Sequence, residues 1–286
     1  MVAVSSERVH PNRTRQAIRA LLPQSVLNWR EARYYERYGE IEMRFVDLLC
    51  RRGEDAIDVG ANYGGYVHLM RRHASHVVAF EPVPEFVRLL RTKFADDVTI
   101  EPVALSDHDG EVDLCIPVID GERAGGCSTL SPSAAACYAT HDLVRVRSMR
   151  LDDAYVGTAG FIKIDVEGHE QEVLNGAVAT LRHCQPRMLV EIEDCLSPGG
   201  IERTSAFFTR LGYRGYYIHA AELHDIATFS VARLQTRAAL PDMTTPLHQR
   251  RPLHDYVYNF IFLPAGDPEA TALRIRKRLA QLRNCP

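Results

Sequence analysis

The chain has 286 residues, 46% of them apolar by a broad count and 25% charged, which suits one large domain with extensions and a sizeable core. Its 34 basic and 37 acidic residues leave a formal net charge of -3, so electrostatics gives no reason to expect a nucleic-acid or membrane-surface partner. The cysteine count, 7, is odd, with no CxxC pair and no zinc-like Cys/His spacing, as in a reduced intracellular protein. Neither a signal peptide nor an apolar stretch of membrane-helix length is visible, and the expected location is cytoplasmic.

Residues 1–50 read as a helical preface to a domain spanning 51–286. Its Trp29, Tyr34, Tyr35 and Tyr38 suit either a substrate lid or the plainer role of packing on the flank of the domain. From about residue 54, short apolar runs alternate with longer segments of helical period, which predicts an α/β fold. Strands are expected at 56–59, 76–80, 98–103, 161–164 and 188–192, each nearly all apolar as in a sheet buried on both faces. Phe86, Leu89, Leu90 and Phe94 mark one helix face, and Val173, Leu174, Ala177 and Leu181 mark another. A helix over 201–211 ends at Gly212, strands follow at 213–219 and 256–263, and Asp267-Pro268-Glu269 opens a terminal helix. Two segments, 119–143 and 222–254, interrupt the alternation and read either as insertions that shape a pocket or as surface decoration.

Four stretches carry chemistry. IDVGANYGG (57–65) is a strand that ends after Asp58 in a glycine turn, where Gly60 and Gly64 let backbone amides approach a ligand. Asn62 stands where a dinucleotide fingerprint needs its second glycine, which disfavours a pyrophosphate. VVAFEPVPEF ends the second strand at Glu81, placed to accept hydrogen bonds from a ribose or, more plainly, to cap the next helix. In VALSDHDGEV, Ala104 and Leu105 can border a base, with Ser106 or Asp107 on its edge, or the segment is an ordinary turn. FIKIDVEGHEQEVLNGA gathers Lys163, Asp165, Glu167, His169 and Glu170 at the end of an apolar strand, with Glu191 and Glu193 after the next one. Unpaired charges there are costly, which argues for a site.

In this order IDVGANYGGY, VVAFEPVPEF, VALSDHDGEV, RLDDAY and FIKIDVEGHEQEVLNGA resemble the motif series of the FkbM-type S-adenosylmethionine-dependent methyltransferases. The resemblance covers about residues 40–195, and HDYVYNFIFLP resembles the family's closing strand; the first 40 residues and both insertions fall outside it. It implies a class I methyltransferase (Rossmann-like) fold, α/β with a seven-stranded mostly parallel sheet, its last strand antiparallel, and helices on both faces. It further implies S-adenosylmethionine as cofactor. Gly60, Ala61, Asn62 and Gly64 would border the methionine portion, Glu81 the ribose, and Ala104 with Leu105 the adenine. Asp165 would sit beside the reactive end, and Asp58 and Pro82 complete the cofactor set.

Characterised relatives mostly methylate hydroxyls of natural products or sugars, so the implied partner is a small-molecule hydroxyl acceptor. A hydroxyl needs deprotonation, and Asp165, Glu167 and His169 are the candidate catalytic groups, His169 first because its ordinary pKa lies nearest neutrality. Asp165, Glu167 and Glu191 also suit Mg²⁺, although nothing in their spacing requires a metal and metal-independent chemistry is preferred. A nicotinamide-dependent Rossmann oxidoreductase and a non-catalytic S-adenosylmethionine-binding protein remain the alternatives.

Overall fold

The computed structural model describes residues 22–94, 97–236, 255–266 and 268–283. β1 (Asp55–Val59), β2 (Val77–Phe80) and β3 (Thr99–Glu101) come first. The short β4 (Ala104–Leu105) then joins β5 (Gly110–Ile119), β6 (Glu122–Arg123) and β7 (His141–Met149) in a separate sheet of order β4-β7-β5-β6. β8 (Ala159–Ile164), β9 (Arg187–Glu191), β10 (Tyr213–His219), β11 (Glu222–Asp225) and β12 (Asn259–Pro264) follow. The main sheet has the order β11-β10-β12-β9-β8-β1-β2-β3.

From β3 to β9 every pairing is parallel, and β12 runs antiparallel between β9 and β10. This is the expected mixed α/β sheet with one strand more than the seven anticipated. The addition is β11, folded back on β10 through a two-residue turn in which Ala220 (φ 49°) and Ala221 (φ 57°) are both left-handed, as the tight turn of a twisted hairpin requires.

Two strands are shorter than their apolar runs. β3 stops at Glu101, and Ala104–Leu105 pairs with β7 in the second sheet instead. β12 begins at Asn259; before it, Tyr256 and Tyr258 line a cavity at the sheet's edge, and the Tyr258 carbonyl still accepts from the Ile192 amide at 2.8 Å. Segment 119–143 is not a plain loop: it holds the ends of β5 and β7 and all of β6. Residues 237–254 of the second insertion lie outside the described residues.

The helices longer than one turn are α1 (Gln24–Tyr38), α2 (Gly65–Met70), α3 (Pro84–Phe94), α4 (Glu170–Asn175), α5 (Val178–Cys184), α6 (Gly200–Arg210) and α7 (Pro268–Arg283). Strand alternation divides the core in two. Ala56, Phe161, Leu189 and Ile261 face α2, α3 and α7 together with Phe45 and Leu49, whereas Ile57, Ile162, Met188, Phe260 and Phe262 face α4, α5 and α6. Each fully buried Phe on these faces contributes about 1.5–3 kcal/mol of burial.

Chain order reverses across the β8–β1 neighbour pair, and the crevice at the strand ends there is the usual ligand position of such a sheet. No helix among the described residues is long and apolar enough to cross a membrane.

Candidate active site

The alternation that builds the core also builds a polar row. Asp58 shares its face of β1 with Ala56, Lys163 shares that of β8 with Phe161, Glu191 that of β9 with Leu189, and Asn259 that of β12 with Ile261. These strands are neighbours, with Asp58 opposite Lys163 and Glu191 opposite Asn259, so the row crosses the sheet near its ligand edge. Lys163 is its cation. Its Nζ lies 2.7 Å from Asp165 Oδ2 and 4.0 Å from Asp58 Oδ1, and 4.9 Å from the centre of the Tyr66 ring. Burial alone would lower its pKa, but Asp165, Asp58, Glu191 and Glu40 together raise it well above the usual lysine value.

Glu40 and Glu42, between α1 and the domain proper, close over this row. Glu40 Oε2 accepts from the Tyr66 hydroxyl at 2.6 Å and from Asn259 Nδ2 at 3.0 Å; the same amide reaches Glu42 Oε2 at 3.5 Å. Burial raises the Glu42 carboxyl to about 8, helped by repulsion from Glu40. Sequence reasoning looked to the aromatics of this preface and missed its acids. Tyr34 and Tyr38 pack in the α1 aromatic cluster, Tyr35 also stacks on His68, and Trp29 is exposed; none of the four lines either cavity described below. The available signal was an acidic pair two residues apart at a helix end, which a solvated turn would also show.

The turn after β1 is held by close contacts. A Cβ on Gly60, at φ 77°, would lie 1.9 Å from the carbonyl oxygen of Asp165, so only glycine lets this turn meet the end of β8. Gly64, also left-handed, opens α2 against Leu90 and Phe94. Glu81 is buried, with one carboxylate oxygen accepting from the Asn62 amide at 2.7 Å and the other from the Val83 amide at 2.8 Å. It therefore pins two turns together and keeps an open lone pair on each oxygen. Burial raises its pKa to about 7 against the pull of those two amides. Asp58 Oδ1 and Asn62 Oδ1 are buried without a protein hydrogen-bond partner.

A cleft of about 420 Å³, counting the space open to solvent, lies beside this turn. It brings together Gly60, Glu81, Pro82, Ala104, Leu105 and Asp165 from the ends of β1, β2, β4 and β8. Ser128, Thr129 and Leu130 complete the wall, so the first insertion does shape the cleft. Asp58, Ala61, Asn62 and Gly64 stand behind the lining.

The IDVEGHE turn sends Asp165 and His169, but not Glu167, to the lining of the cleft. Asp165 and His169 line the cleft, but His169 Nε2 lies 3.0 Å from the buried Ser106 hydroxyl, beside Ala104 and Leu105, and its Nδ1 lies 3.6 Å from Glu172. Burial lowers its pKa. Glu167 is left-handed (φ 53°), and the Thr129 hydroxyl donates to its carbonyl at 2.6 Å, tying the insertion to this turn. Burial raises the Glu167 carboxyl well above the ordinary range, and Asp165, Glu193 and Glu170 repel its charge further. Glu170 accepts from the Gly168 amide at 2.7 Å. Among the described residues, no three His, Cys, Asp or Glu side chains are grouped so that they could hold a metal ion.

Residues 58–215, more than half of the chain, match the methyltransferase FkbM domain. The chain belongs to the FkbM methyltransferase family. Among curated relatives of this family member, the hexuronic acid methyltransferase AglP of Haloferax volcanii is 28% identical over 170 residues, 54% of this chain and 64% of the archaeal protein. The chain thus spans less than two thirds of that relative. Among solved structures, methyltransferase FkbM from Methylobacillus flagellatus KT aligns with 73% of this chain and 43% of its own, at 16% identity and a TM-score of 0.45. Precorrin-6y C5,15-methyltransferase from Geobacter metallireducens GS-15 aligns with 78% of this chain and 88% of its own, at 13% identity and a TM-score of 0.40.

Proposed function

We propose that this FkbM-family protein is an S-adenosylmethionine-dependent O-methyltransferase acting on a hydroxyl of a sugar-containing small molecule. The observation that carries the reading is the gathering of Gly60, Glu81, Pro82, Ala104, Leu105 and Asp165 around one cleft. The cleft fits the cofactor. Glu81 keeps lone pairs for ribose hydroxyls, and Ala104 and Leu105 offer an apolar rest for a base. The similarity to a hexuronic acid methyltransferase supports a sugar-like acceptor.

S-adenosylmethionine supplies a methyl group already activated on a sulfonium, which becomes a neutral thioether when the acceptor oxygen takes the methyl. What remains for the chain is to hold that oxygen in line and remove its proton. In this reading Glu167, in the turn between Asp165 and His169 and among the carboxylates of Asp165, Glu193 and Glu170, accepts the proton. Asp165, engaged by Lys163, orients the reacting groups. His169, beside Ser106, serves the base end of the cofactor rather than the acceptor. Glu40 and Glu42, at the end of the preface, would then face the acceptor, which keeps a substrate-binding role for that part of residues 1–50 beside a methyltransferase domain over 51–286.

The experiment is turnover of labelled cofactor by the purified protein, with cofactor binding measured in parallel. Glu167→Gln is expected to lower kcat by roughly 10²–10⁴-fold and to leave cofactor affinity unchanged, while His169→Ala weakens cofactor binding more than it lowers kcat. Unchanged turnover in Glu167→Gln removes it as the base, an N- or C-methylated product removes the O-methyl assignment, and loss of activity in chelator would bring back a metal.

A further inference from the structure

A second cavity, of about 340 Å³ counting the space open to solvent, lies at the same edge of the sheet. Glu40, Glu42, Tyr256, Tyr258 and Asn259 line it with His219 at the end of β10. It connects with the cofactor cleft through contacts already described: Asp165 lines the cleft and pairs with Lys163, Lys163 lies over the Tyr66 ring, and Tyr66 donates to Glu40. An acceptor seated here would approach the cleft from the β9–β12 side.

The wall is acidic, and it contains an orphaned group. Asn259 is 3% exposed, and its amide nitrogen is committed to Glu40 and Glu42. Glu40 Oε2, which already accepts from the Tyr66 hydroxyl, fixes the amide's orientation, since the reverse would set one acceptor against another. Its Oδ1 is consequently buried without a partner and needs a donor. Glu42, 4% exposed, meets its own backbone amide and the 3.5 Å contact with Asn259, and Glu40 repels its charge. Lys163, the cation of the row, is already shared by Asp165 and Asp58. A hydroxyl would satisfy Asn259 Oδ1 but bring no charge to the Glu40–Glu42 pair, in which Glu42 keeps its proton to about pH 8 for want of a cation. An ammonium supplies three donors and the missing charge, and the rings of Tyr256 and Tyr258 give it aromatic faces. A uronate would set a further carboxylate against Glu40 and Glu42.

We propose that this cavity selects an acceptor that is polyhydroxylated and carries a protonated amine, an amino sugar or aminocyclitol, with Glu40, Glu42 and Asn259 recognising the ammonium. The proposal rests on the methyltransferase reading for the identity of the acceptor, but its binding chemistry can be tested separately.

The test is isothermal titration of the full chain with D-glucosamine, methyl β-glucoside and D-glucuronate, with and without S-adenosylhomocysteine. Glucosamine is expected to bind about tenfold or more tightly than the neutral sugar, and more tightly still than glucuronate, with the gap narrowing as salt rises. Glu42→Gln should close most of the gap between glucosamine and methyl glucoside. The salt dependence of the unmodified protein gives the same answer should that variant fold poorly. Equal or tighter binding of glucuronate, or an amine preference indifferent to both salt and Glu42→Gln, overturns the proposal. Amine selectivity without any binding of S-adenosylhomocysteine would uphold the amine pocket and overturn the methyltransferase reading instead.

Discussion

Gly60 shows how much of the site hangs on a missing side chain. Its positive φ and the 1.9 Å that would separate a Cβ from the Asp165 carbonyl leave no room for alanine unless the β1 turn and the end of β8 part. Gly60→Ala is expected to cost at least about 1–2 kcal/mol from the left-handed backbone alone, and to abolish cofactor binding in a titration; a variant that binds normally would remove the turn from the site. Glu42 makes the opposite kind of prediction. Its carboxyl titrates near 8 in the fold against an ordinary value of 4.5, so the folded state holds a proton that the unfolded chain releases earlier. The associated stability is complete below about pH 4.5 and lost as pH rises through about 8. Glu42→Gln should therefore be near neutral at pH 5 and stabilise the ligand-free protein by on the order of 1–3 kcal/mol above pH 8, read by denaturant melts at the two pH values. A pH-independent effect would show that Glu42 is not a charge held without compensation.

At the scale of elements, the strand runs that were nearly all apolar formed close to where their pattern put them, with β3 cut short at Glu101, since burial on both faces leaves a strand few alternatives. The β10–β11 hairpin and the second sheet were not legible. Neither Ala220 nor Ala221 is a turn-former, and the small polar residues of 119–143 carry no clear period, so pairing there depends on partners distant in sequence. The hairpin turn is strained as a result. Replacing Ala220-Ala221 by Asn-Gly should stabilise the protein by about 1 kcal/mol, because those residues accept the left-handed conformation more readily; a shift of the urea midpoint with unchanged slope is the expected reading, and an unchanged midpoint would mean the turn is relaxed.

At the scale of the whole molecule, the two ends of the described chain meet on one face of the sheet. Ile275 and Leu279 of α7 join the core that contains Phe45, Leu48 and Leu49, and Arg278 pairs with Asp47. That pairing matters because residues 40–49 also carry Glu40 and Glu42 to the site, so α7 supports the acceptor cavity without touching it. Leu279→Ala is expected to cost about 2–5 kcal/mol in denaturant unfolding, and to weaken acceptor binding more than cofactor binding. Equal effects on the two would deny α7 this supporting role.

The sequence by itself determined the α/β class, the glycine turn, the acid at the end of the second strand and the crowded IDVEGHE turn, because each rests on local chemistry: alternation, a residue without Cβ, a charge at a strand end. It could not separate His169 from Glu167, since the two are neighbours in the chain and part only when β4 brings Ser106 against the imidazole. Nor could it join Glu40 and Glu42 to Asn259, which lies more than two hundred residues away. That decision belongs to the tertiary structure, where strand alternation sets one polar side chain on each of four neighbouring strands and the preface lays two carboxylates across them. The physical reason is range: propensity and pattern act within a few residues, whereas the charge balance of a buried site is a sum over everything the fold brings near.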